Sequence, residues 1–245
     1  MPSPELLVLD ERFNGPPASA NGGYACGVLA ARVDAPAAEV SLLRPIPLGA
    51  PLSLGHDEHG HALLRHDGGL IADARPIDRV EAHPPARPTF AEALAASAAS
   101  PAHRGVHPLP TCFVCGVDGR RDGMGVHSGP LAGHPTLGAA AWRPHDALPN
   151  ADGVLPGELV WAALDCPSYP DLEGPLHLLG RMAGEVLAPV EVGEELAVVA
   201  WDVAIAERKR ITASAVIGAA GDVRARALAV WIRLRDGALP AAAAA

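Results

Sequence analysis

The chain has 245 residues, of which 49% are hydrophobic, and carries 28 acidic residues against 19 lysines and arginines, for a formal charge of −9. That much apolar material excludes a disordered chain, and no basic run is longer than Arg208-Lys209-Arg210, which excludes the electrostatic footprint of a nucleic-acid binder. No stretch approaches the roughly 18 apolar residues of a membrane span, and Met1-Pro2-Ser3-Pro4-Glu5 lacks the layout of a signal peptide.

A cytoplasmic protein is therefore expected, with Cys26, Cys112, Cys115 and Cys166 reduced. Glycine (26) and proline (25) are frequent and aromatics make only 4%, so the elements should be short and the core built from Ala, Val and Leu.

Leu6 to Leu9 reads as a strand, followed by a turn at Gly15 to Pro17. The apolar stretch from Gly22 to Ala31 has helical length, with Asn21 as its N-cap. Glu39 to Arg44, Pro51 to His56, Ala62 to His66 and Leu70 to Ala74 are short segments between turns, as expected of antiparallel strands. A proline-rich connector follows, containing a short helix over Ala93 to Ala99 capped by Thr89, with Glu92 three residues on.

Beyond it, Met124 to His127 and Thr136 to Trp142 read as strands, and Pro156 to Cys166 as a helix with proline in its first turn. Leu178 to Leu187, Leu196 to Ala206, Arg210 to Gly218 and Val223 to Leu234 complete a second strand series. In the last of these, Ala225, Ala227, Ala229 and Trp231 alternate with Arg224, Arg226, Leu228 and Val230. The order of strands, one helix and more strands occurs twice, which predicts units over residues 1–80 and 111–236, a connector over 81–110 and a disordered tail over 237–245.

This order resembles the hotdog fold. Cys112-Phe113-Val114-Cys115-Gly116, followed some way on by Gly157-Glu158-Leu159-Val160-Trp161-Ala162-Ala163-Leu164-Asp165, resembles the acyl-CoA thioesterase superfamily of that fold, in its PaaI-like branch. Asn21-Gly22-Gly23-Tyr24 supplies the corresponding helix start in the first half. The resemblance implies an α+β double hotdog: two antiparallel sheets, each wrapped around a central helix, forming a pseudo-dimer in one chain.

It further implies an acyl-CoA or other acyl-thioester substrate, hydrolysis without a metal or redox cofactor, and a carboxylate on the central helix at Asp165. The first half has Ala30 at the matching place. Pro156 stands where the family's motif has histidine and Glu158 where it has the second glycine.

Asp165 draws notice without any family. It follows the apolar run Leu159 to Leu164 at a helix C-terminus, where the macrodipole disfavours a negative charge by about 0.3–1 kcal/mol. Buried, it is a candidate base or nucleophile; turned outward, it would hydrogen-bond loop amides near Pro167 and Ser168.

Asn21, Gly22, Gly23, Tyr24 and Gly157 are the candidate oxyanion or substrate-binding residues, because a glycine-opened helix start offers N–H groups and the positive dipole end. Close helix packing is the competing role of the glycines, and capping that of Asn21. Glu158 suits the first helical turn, and Tyr169 is read as a surface tyrosine or a pocket wall.

His103-x3-His107-x4-Cys112-x2-Cys115 has the composition of a zinc site, but prolines interrupt it, and no metal is assigned. Cys166 is read as packing, since no histidine is positioned to activate it, and His56, His59, His61 and His66 as turn residues. A non-catalytic thioester-binding protein is the first alternative. A hydratase is weaker, since Pro170 occupies the position where its histidine is needed. A homodimer is compatible with either reading.

Overall fold

The computed structural model describes residues 5–235, so the expected tail over 237–245 lies outside the described residues. Asn21 opens helix α1 (Gly22–Ala30), its side chain accepting the Tyr24 N–H at 2.9 Å in place of a missing helical carbonyl. Before it lies strand β1 (Glu5–Leu7); after it come β2 (Ala37–Leu42), β3 (Leu52–His56), β4 (Ala62–His66) and β5 (Gly69–Ile77).

Helix α2 (Phe90–Ala98) carries the expected capping box between Thr89 and Glu92. Then follow β6 (Gly129–Pro130), β7 (Leu137–Trp142), α3 (Gly157–Asp165), β8 (His177–Val186), β9 (Leu196–Ala206), β10 (Lys209–Ile217) and β11 (Val223–Arg233). The strand expected at Met124 to His127 is irregular instead. Gly125 has φ +66°, which breaks the extended run, although Met124 and Val126 still donate to the Phe113 and Val114 carbonyls. Pro156, expected in the first turn, stands at the N-cap position just before α3 and makes no side-chain cap.

All strands join one antiparallel sheet in the order β1-β3-β4-β5-β2-β8-β11-β10-β9-β7-β6. The expectation of two separate sheets is corrected by the seam between β2 and β8, which pairs Ala37 with Glu185 through Ser41 with Arg181. This pairing removes two free edges from the middle of the molecule. On either side of the seam the strand order repeats, β1-β3-β4-β5-β2 against β7-β9-β10-β11-β8.

The two central helices lie side by side and antiparallel against the seam half of the sheet. A Cβ on Gly23 would stand 2.4 Å from the Cβ of Asp165, and one on Gly27 2.4 Å from the Cα of Glu158, so the helices approach at glycines one turn apart. Leu196 and Val198 face this layer, while Ala197 and Val199 point to the opposite face of the sheet.

There α2 covers them with Ala93 and Ala96, and Ser97 Oγ accepts the Ala141 N–H at 2.9 Å. The connector is thus a packed third layer over the second half. Among the described residues no helix is long and apolar enough to cross a membrane.

Candidate active site

At the end of α3 two serines satisfy terminal carbonyls: Ser214 Oγ donates to the Leu164 carbonyl at 2.7 Å and Ser168 Oγ to that of Asp165 at 2.8 Å, where the chain turns through Cys166–Ser168. The Asp165 side chain is thereby held inside, only 3% exposed.

Its Oδ2 accepts the Gly23 N–H at 2.9 Å and the Asn21 amide at 3.0 Å, both from the N-terminus of α1. Its Oδ1 is buried without a hydrogen-bond partner among the described residues. Burial pushes the carboxyl up to about 7 from 3.8; the Gly23 N–H opposes this, the nearby Cys112 adds to it, and the Asn21 amide opposes it.

Asp165 lines a cavity of about 1670 Å³, well beyond the roughly 300–1,000 Å³ of an ordinary small-molecule pocket. Its walls include Asn21, Gly22, Leu179, Trp201 and Trp231. Tyr169 lines it as well, fixed by an edge-on contact with Trp231 and by its hydroxyl accepting the His177 N–H at 3.0 Å.

The expected oxyanion set is redistributed by this geometry. Gly23 N–H is taken by Asp165 and Tyr24 N–H by Asn21, so neither is free for a ligand. The Tyr24 ring stacks on Phe13 in the core, 4.1 Å between centroids. Gly157 opens the far end of α3, eight residues and about 12 Å from Asp165, is exposed, and lies outside the cavity wall. Among the described residues Gly22 N–H has no hydrogen-bond partner, and Gly22 does line the cavity.

Asn21 fills the capping role, and its amide reaches beyond it. Besides Asp165, its Nδ2 lies 3.5 Å from Cys166 Sγ and 3.9 Å from Cys112 Sγ. Cys112, Cys115 and Cys166 place their sulfurs within 4.8 Å of one another on the cavity wall.

The histidines of the sequence motif do not join them: His103 packs edge-on against His127, and His107 Nδ1 accepts the Leu109 N–H. Cys166, expected only to pack, joins this cluster although 50 residues separate it from Cys115. Only the fold brings the end of α3 to the Cys-x-x-Cys turn. His56, His59, His61 and His66 sit on or beside the β3–β4 and β4–β5 turns, with Asp57 accepting the His59 and His61 N–H groups.

No protein-family model and no curated protein matches the chain. Solved structures do. A conserved protein of unknown function with a hot dog fold from Alicyclobacillus acidocaldarius is 13% identical, with a TM-score of 0.61 over 95% of this chain and 93% of its own.

A putative thioesterase from Novosphingobium aromaticivorans is 13% identical, with a TM-score of 0.62 over 95% and 96%. A putative thioesterase II from Thermobifida fusca is 15% identical, with a TM-score of 0.60 over 96% and 94%. The chain has the hotdog fold.

Proposed function

We propose that this protein binds an acyl thioester in the cavity between its two halves and hydrolyses it, with Asp165 as the general base. The observation that carries this reading is a buried carboxyl with one oxygen anchored and the other unpartnered, set in the wall of a large and mainly apolar cavity. Anchoring Oδ2 fixes the orientation of the group, which leaves Oδ1 to take a proton from water.

The water oxygen then forms a bond to the thioester carbonyl carbon and the C–S bond breaks. The proton passes from Asp165 to the departing thiolate, giving a carboxylic acid and a thiol. Gly22 N–H, at the positive end of α1, is the donor left for the developing oxyanion.

The putative thioesterases from Novosphingobium aromaticivorans and Thermobifida fusca, which share this fold, support the class of reaction. The repeated strand order supports a double hotdog in which residues 1–80 and 111–236 act as the two halves of a pseudo-dimer, the first supplying amides and the second the acid. The exposed Arg44 and Arg104 on the cavity wall suit the phosphates of a coenzyme A carrier.

A second reading, binding without turnover, is favoured by the engagement of the Gly23 and Tyr24 N–H groups within the protein. Incubating purified protein with acyl-CoAs of graded chain length, while following loss of thioester absorbance and product mass, separates the two. Hydrolysis of at least one chain length is expected; saturable binding with none hydrolysed would establish the second reading.

A further inference from the structure

We propose that Cys112, Cys115 and Cys166 form a binding site for a thiophilic divalent cation of the zinc class, with its fourth coordination position opening on the cavity beside Asp165. Three sulfurs converge from two separate places in the chain. Cys112 and Cys115 come from the turn that follows the connector, and Cys166 from the end of α3.

Zinc–sulfur bonds of about 2.3 Å at the tetrahedral angle place two sulfurs about 3.8 Å apart. Cys112 Sγ and Cys166 Sγ stand at 3.8 Å, and all three sulfurs fall within 4.8 Å. A disulfide would join two of them at about 2.05 Å and leave the third alone, whereas a mutual triangle of this size surrounds a point that one ion can occupy.

The Asn21 amide, from the first half of the chain, points a donor at both the Cys112 and the Cys166 sulfur, at 3.9 and 3.5 Å. Gly116 N–H closes the turn on the Cys112 carbonyl at 2.8 Å, so the Cys-x-x-Cys loop is shaped before any ligand arrives. Sulfur donors of this kind select zinc and other soft or borderline cations over magnesium or calcium.

The protein residues supply three ligands, and all three line the cavity, so the remaining position faces solvent or a bound ligand. Three protein ligands with one open position is the arrangement of reactive rather than purely structural zinc. The site does not depend on the thioester reading, because a metal assay requires no hydrolysis.

Full-length protein purified under reductant from zinc-supplemented cells is assayed for metal by elemental analysis. About one zinc per chain is expected, lost in Cys115→Ser and in Cys166→Ser. It should be retained in Cys26→Ser, whose sulfur lies in α1 outside the cluster, and in His107→Ala.

Should the serine variants fail to fold, the wild type decides. After stripping with a chelator, zinc should bind with release of thiol protons and shield three of the four cysteines from alkylation, and cobalt should give thiolate-to-metal charge-transfer bands with tetrahedral d–d intensity. Wild type that stays substoichiometric after reconstitution, zinc that shields no cysteine, or a native disulfide within the trio would overturn the assignment.

Discussion

Gly27→Ala adds one methyl group where the backbones of the two central helices approach closely. A Cβ there would stand 2.4 Å from Glu158 Cα, 2.9 Å from Glu158 Cβ and 3.0 Å from Trp161 Cβ. Ordinary contact begins near 3.4 Å, so α1 and α3 would have to separate by about 1 Å, and the first atom met belongs to backbone, which cannot rotate away.

Overpacking of this kind costs about 1–3 kcal/mol. Alanine's better helix propensity returns about 1 kcal/mol, leaving a net loss of about 0–2 kcal/mol. Gly157→Ala is the control, since nothing lies within 4 Å of a Cβ there and propensity acts alone in the first turn of α3.

Urea denaturation followed by far-ultraviolet circular dichroism, with slopes compared to confirm an unchanged denatured state, reads both. Gly27→Ala should lower the midpoint while Gly157→Ala leaves it unchanged or raises it. Stabilisation of both by similar amounts would show that the helices do not meet at Gly27.

Gly23→Ala adds its methyl 2.4 Å from Asp165 Cβ and 2.7 Å from the Trp161 carbonyl, and should lose stability together with hydrolytic rate, measured side by side on one preparation. Buried Glu185 pairs with half-buried Arg226 across β8 and β11, with side chains 5% and 16% exposed. Arg226→Met should cost about 3–5 kcal/mol in denaturant, and adding Glu185→Leu should restore most of it; equal stability of the single variant and the wild type would contradict this.

Thr89→Ala, which removes the capping box of α2, should cost about 1 kcal/mol by the same assay. Arg44 forms no ion pair among the described residues. Arg44→Ala should raise KM for an acyl-CoA and spare that for the same acyl group on a short pantetheine carrier; equal changes in both would remove it from phosphate binding.

Most strands and all three helices were legible because turns punctuate the chain so often. The alternation from Ala225 to Trp231 is the burial alternation of β11, and Thr89 with Glu92 marked α2 through local chemistry alone. What could not be read was how elements distant in sequence meet. The seam between β2 and β8 carries no local signature, so one sheet was expected as two.

At the site, Asp165 was legible as a charge stranded after six apolar residues, and Asn21 as a cap. That the two would hydrogen-bond across 144 positions, consuming the Gly23 amide as they do, depends on the antiparallel approach of α1 and α3. Gly157 and Asp165 are the first and last residues of α3, so the helix itself keeps Gly157 away from the Asp165 carboxyl. Cys166 was passed over because its partners lie on a different segment.

The proposed hydrolysis depends on the unpartnered oxygen of Asp165 acting at the cavity wall. Asp165→Asn keeps the shape of the side chain while removing its basicity, so the decisive quantity is its kcat/KM on the best acyl thioester, measured beside its affinity for a non-hydrolysable thioether analogue. A loss of about 10²–10⁴-fold in kcat/KM is expected, with the analogue still bound. Turnover at the wild-type rate would contradict it.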